Sequence, residues 1–123
     1  MIMFIDNVVA TNYFTVQPGD TILALNQKSN VTFQCTCIAG DFCTSPPFWS
    51  LENGGQLLVT NDNDDAIILA ERGITYRSSG NSAVITIPDT VENNDTQIFC
   101  AGLISGGTEF SDLPIKLIII GNS

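Results

Sequence analysis

Histidine is absent from this chain, and Lys and Arg together number four against 13 Asp and Glu, giving a formal net charge of −9. The missing histidine removes the commonest general base and the commonest zinc ligand. It also excludes a hydrolase triad of the usual Ser-His-Asp form. The scarcity of cations argues against a nucleic-acid partner or an anionic membrane surface, both of which are recognised by Lys and Arg. Long apolar runs are lacking too: near the end the longest is Leu117-Ile118-Ile119-Ile120, far short of a membrane span. The first residues, Met1-Ile2-Met3-Phe4-Ile5-Asp6, have no basic region and are too few for a signal peptide. The chain is therefore expected to be a mature or excised ectodomain, with any membrane attachment in segments outside it. Repeats and low-complexity linkers are also missing.

What is present fits one ordinary domain spanning residues 1–123. Four cysteines in a strand-rich chain of this size read as two disulfides formed in an oxidising, extracellular compartment. Val31-Thr32-Phe33-Gln34-Cys35 places apolar residues at every second position, and Thr96-Gln97-Ile98-Phe99-Cys100 ends a second such run. Period-two alternation marks strands with one buried face. Trp49 lies between them in Phe48-Trp49-Ser50-Leu51, after a loop at 38–47 that ends in Pro46-Pro47. Glu52-Asn53-Gly54-Gly55 reads as a hairpin turn returning through Gln56-Leu57-Leu58-Val59. Further strands are expected at Thr21–Leu25, Ala66–Ala70, Thr75–Arg77, Ala83–Ile87 and Ile115–Ile120, with a turn at Ser105-Gly106-Gly107-Thr108. About nine short strands, frequent turn signals and no convincing helix indicate an all-β sandwich.

The order Cys35, Trp49, Cys100 in these strands resembles an immunoglobulin domain. The strand paired after Trp49 and the added segment around Ile67 resemble the variable type, with Greek-key connections. Trp49-Ser50-Leu51-Glu52-Asn53-Gly54, Asn93 to Cys100 and Ser111 to Gly121 look like variable-type domains on invertebrate cell-surface receptors. Three positions depart from that pattern. Ile98 stands where the tyrosine corner belongs, Asn94 replaces the usual acidic residue, and no Phe-Gly-x-Gly motif follows Cys100. These departures argue against an antibody or antigen receptor, not against the fold.

The resemblance implies a Cys35–Cys100 inter-sheet disulfide with Trp49 packed on it, leaving Cys37 to bridge Cys43 and brace the first hypervariable-like loop. A salt bridge from Arg72 or Arg77 to an acidic residue near Asp95 is the matching expectation at the end of the sandwich. Asn30-Val31-Thr32 and Asn94-Asp95-Thr96 are glycosylation sequons. Asn61-Asp62-Asn63-Asp64-Asp65 has oxygen ligands at alternating positions but lacks the glycine and distant glutamate of a calcium loop, and reads as a solvated acidic loop. No metal, cofactor, small-molecule substrate or catalytic residue is assigned. The implied role is an extracellular recognition or adhesion module binding another protein, heterophilic or homophilic, on an immune-type or allorecognition receptor. A secreted immunoglobulin-like effector or decoy is the alternative. The expected surfaces are loop 38–47, loop 103–109 and the outer face of the sheet carrying Trp49 and Cys100, with Leu57, Leu58, Phe99, Leu103 and Ile104 as exposed apolar contacts.

Overall fold

Two β-sheets face each other across one hydrophobic core in the computed structural model of the protein, which describes residues 8–10, 13–38 and 43–121 and the backbone of 2–4. In chain order the elements are β1 (Ile2–Phe4), β2 (Val9–Ala10), β3 (Phe14–Gln17), β4 (Thr21–Ala24), β5 (Asn30–Cys37), β6 (Phe48–Asn53) and β7 (Gln56–Val59). Helix α1 (Asn63–Glu71) follows, then β8 (Thr75–Ser79), β9 (Ser82–Pro88), a 3-10 turn (Val91–Asn93), β10 (Thr96–Ile104), β11 (Gly107–Phe110) and β12 (Ile115–Ile120). The first sheet runs β1-β4-β12-β10-β6-β7 with β11 also paired to β10, and the second runs β2-β3-β5-β9-β8. The chain passes between sheets at β1–β2, β3–β4, β4–β5, β5–β6, β7–β8 and β9–β10, so spatial neighbours such as β6 and β10 are remote in sequence.

Alternation dictates which side chains meet in the middle. In β5 the residues Val31, Phe33, Cys35 and Cys37 are buried while Asn30, Thr32 and Gln34 are exposed. On the facing sheet Ile98 and Cys100 of β10 oppose Leu51 and Trp49 of β6, all four buried. Cys35 and Cys100 are joined by a disulfide, Cα atoms 6.2 Å apart, across 65 residues of sequence. Closing a loop of that length removes unfolded-chain entropy worth about 4 kcal/mol. Trp49 belongs to the same buried cluster, directly across the ladder from Cys100. Its backbone N–H donates to Thr60 Oγ1 at 2.9 Å, whereas its indole Nε1 is buried without a partner among the described residues.

One expected strand is a helix. Ala66 to Ala70 lies inside α1, so the segment around Ile67 supplies no additional variable-type strand. The acidic residues before it explain the change. Asp62 caps the helix by accepting from the backbone N–H groups of Asp64 and Asp65 at 2.8 and 3.1 Å, and Asp64 and Asp65 lie in the first turn, where carboxylates oppose the positive end of the helix dipole. Asp65 also accepts from Val59 N–H at 2.8 Å, tying the helix to the end of β7. Gly73, at φ +73, lets the chain reverse after the last turn, and Leu69 and Ile74 are buried beneath. The five-residue run Ala66-Ile67-Ile68-Leu69-Ala70 carries too few residues to separate helix from strand by period, and the caps decide.

Asparagines organise the corner beside Ile98. Asn93 is buried, and its amide donates to Pro88 O at 3.1 Å and Thr90 Oγ1 at 3.0 Å. Asn94 Oδ1 accepts from Ile119 N–H at 2.7 Å, holding β12. Asn53 Nδ2 reaches Asn94 O at 2.9 Å and Thr96 Oγ1 at 2.7 Å. The ion pair at this end joins Lys116 to Asp95 at 3.2 Å, while Arg72 donates instead to Gln56 Oε1. Neither arginine therefore makes the expected contact, because β12 puts Lys116 opposite Gln97 beside that turn.

Adjacent leucines test this parity. Leu58 is 2 % exposed and faces Leu51, whereas Leu57 is 58 % exposed and faces Glu52 across the same hairpin. Leu58→Ala is expected to cost about 3 kcal/mol in urea unfolding, and Leu57→Ala within about 0.5 kcal/mol. Equal costs would contradict the register.

Candidate interaction surface

The outer face of the β1-β4-β12-β10-β6-β7 sheet follows from the inner one. With Trp49 and Cys100 facing in, Phe48, Ser50, Phe99 and Ala101 take the outward positions. Phe48, Ala101 and Phe110 form one row across β6, β10 and β11; Val59, Ser50 and Phe99 form the next across β7, β6 and β10. Leu103 opposite Thr108 continues the face toward the β10–β11 turn, and Leu57 flanks it on β7. Phe110, Leu103 and Leu57 are exposed, Phe48, Phe99 and Val59 half-buried. Ala101 is 0 % exposed although it points away from the core. A small outward residue so shielded is the floor of a bulky patch rather than part of a bare sheet. Beyond it the row Leu57–Glu52–Gln97–Lys116 brings in charge and forms a polar border.

Of the five apolar contacts expected from sequence, Leu57, Phe99 and Leu103 share this face. Leu58 does not, being packed in the core. Ile104 has the inward parity of Cys100 and Gly102 and is half-buried opposite Gly107. Strands alternate, so neither the pair Leu57-Leu58 nor the pair Leu103-Ile104 can face one way. Phe48, Val59 and Phe110 complete the patch. Phe48 was legible as the neighbour of inward Trp49. Phe110 was not, because its place depends on the 105–106 turn: what reads as loop 103–109 is mostly a β-hairpin that prolongs β10.

The described parts of the two expected binding loops meet at the top of this sheet. Cys37 at the end of β5 bridges Cys43. A Cβ on Gly102 would lie 3.0 Å from Cys43 Sγ and 3.0 Å from the Phe14 ring, so the bridge packs against β10 where only glycine leaves room. Thr44 then donates from its backbone N–H (2.7 Å) and its hydroxyl (3.0 Å) to Leu103 O. Residues 39–42 of the loop lie outside the described residues. Cys43 and Thr44 thus seat the described end of the loop on the base of the β10–β11 hairpin.

The opposite sheet presents different chemistry. Its outward rows are Thr15–Thr36–Ser82–Ser79, Gln17–Gln34–Val84–Arg77 and Thr32–Thr86–Thr75. Thr32 and Thr86 share a hydroxyl hydrogen bond at 2.9 Å, as do Thr36 and Ser82 at 3.1 Å. In the acidic segment 61–65, Asp62 and Asp65 spend oxygens on backbone N–H groups, and no group of three or more His, Cys, Asp or Glu placed to hold a metal ion occurs among the described residues.

No protein-family description matches the chain, and no curated protein matches it. Solved structures do. One match is a chain from the crystal structure of the titin M10–obscurin-like 1 Ig complex, 13 % identical, with a TM-score of 0.51, covering 83 % of this chain and 87 % of that one. At that identity the likeness shows the fold alone, an immunoglobulin-like β-sandwich.

Replacing both Cys37 and Cys43 by Ala is expected to lower stability by about 2 kcal/mol from loop entropy. Exchange of the Thr44 amide should quicken as the loop leaves Leu103. Calcium at millimolar concentration is expected to leave the melting temperature nearly unchanged; a large rise abolished by EDTA would overturn the helix-cap account of Asp62 and Asp65.

Proposed function

We propose that this domain is an extracellular protein-recognition module that engages its partner through the aromatic outer face of the β1-β4-β12-β10-β6-β7 sheet, and that a second copy of the chain is a partner, bound weakly. The observation that carries the reading is the contrast between faces: Phe48, Phe99, Phe110, Leu57 and Leu103 cluster on one sheet, hydroxyls and amides cover the other. A contiguous apolar patch with a polar border is the usual anatomy of an interface. Aromatics at its centre provide large contact area at low conformational cost.

The seated loop supports the same reading. The Cys37–Cys43 bridge and the Thr44–Leu103 hydrogen bonds fix the ends of the loop at the rim of the patch, and fixed ends lower the entropic cost of contact there. Two disulfides fit an oxidising compartment, and no helix among the described residues is long and apolar enough to cross a membrane. Within the proposal the domain belongs to the ectodomain of a cell-surface adhesion or immune-type receptor of the variable type; a secreted effector or decoy uses the same face.

Sedimentation of the purified domain distinguishes the cases. Weak dimerisation at high micromolar concentration is expected, lost in Phe99→Asp and in Phe110→Asp with the circular dichroism and melting temperature of the folded domain retained. Each copy carries net charge −9, so long-range repulsion opposes the encounter and raising salt should strengthen the dimer. A strict monomer sinks self-recognition and leaves a heterophilic partner on the same face. A dimer indifferent to both substitutions sinks the face itself.

A further inference from the structure

The sequon at Asn30 is placed where a glycan has both room and ground to rest on. Asn30 opens β5 on the outward side, opposite Pro88, and is exposed. Thr32, the hydroxyl residue of the sequon, is exposed two residues along the same face, about 7 Å away at strand rise. From Thr32 the sheet opens into a shallow depression of about 290 Å³ lined by Thr32, Thr75, Tyr76, Arg77, Val84 and Thr86. Its chemistry suits sugar hydroxyls: three threonines and one guanidinium with no salt-bridge partner among the described residues, while Tyr76, opposite buried Ile85, packs toward the core and only borders it. The second sequon is built differently. Asn94 Oδ1 is held by Ile119 N–H, and Thr96 is buried, its hydroxyl donating to Asn93 O at 2.8 Å.

We infer that Asn30 carries an N-linked glycan whose inner sugars lie over the Thr32–Arg77 depression, so that the hydroxyl-rich sheet is covered and the aromatic sheet is left bare. In the modification, Asn30 Nδ2 attacks the anomeric carbon of a lipid-diphosphate-linked oligosaccharide. The N–C bond forms, the C–O bond to the diphosphate breaks, the lipid diphosphate leaves with the electron pair, and one amide proton is lost to a base of the transferase. The two sequons both begin strands whose far ends lead to the stapled loop and the β10–β11 turn. A glycan at Asn30 therefore sits away from the docked loop as well as from the aromatic face.

The inference rests on the extracellular reading above but fails separately from it. The test is secretion of the domain from eukaryotic cells, with intact mass before and after peptide-N-glycosidase. A glycan mass is expected in the unaltered chain and in Thr32→Ser, and is expected to be lost in Asn30→Gln and in Thr32→Ala. Arg77, followed by peptide mass, should react with phenylglyoxal several-fold more slowly before deglycosylation than after. A full glycan mass in Asn30→Gln, or no glycan on a secreted and folded domain, overturns the site. Equal Arg77 reactivity in the two forms overturns the placement over the depression. None of these outcomes alters the sedimentation result expected for the aromatic face.

Discussion

The constraint on which the rest of the molecule depends is the parity fixed by the Cys35–Cys100 bridge. A disulfide across the core obliges position 100 to point inward, and the register places Trp49 beside it. From there the period of two leaves no freedom. Ile98, Leu51 and Leu58 must enter the core; Phe99, Ala101, Phe48, Ser50 and Leu57 must leave it. A one-residue slip would reverse every one of these. The staple therefore does more than restrict the unfolded chain: it determines which side chains are available to a partner.

That dependence explains what the sequence made legible. The sandwich, the two inward cysteines, the tryptophan between them and the hairpin at Gly54-Gly55 all rest on local alternation or turn chemistry, and each stands in the structure. Leu58 and Ile104 face inward because alternation admits only one member of each apolar pair to the outer face. The segment around Ile67 was misassigned because a five-residue apolar run has no decisive period; its fate rests on Asp62, Asp65 and Gly73 at its ends. Phe110 was hidden because its neighbour Ala101 is reached only through the hairpin register.

With Ile98 in the core at the tyrosine-corner position, Asn53, Asn93 and Asn94 bind the 3-10 turn to β6, β9 and β12 through backbone carbonyls and amides. Uncharged amides satisfy buried donors and acceptors without the desolvation cost of an ion. Most of the charge lies at the periphery, in α1 and in rim residues such as Glu52 and Asp95, while buried Asp89 accepts from the backbone N–H groups of Gln27 and Ser29. The aromatic rows on β6, β10 and β11 are left uncharged, and the face is apolar at its centre and polar at its border.

The claim that partners meet this face is tested most directly by fluorine NMR of the domain labelled with fluorophenylalanine, over a concentration series extending into self-association. The account requires the resonances of Phe48, Phe99 and Phe110 to move together with concentration while those of core Phe14 and Phe33 stay fixed. It is contradicted if the domain associates and those three resonances remain where they were.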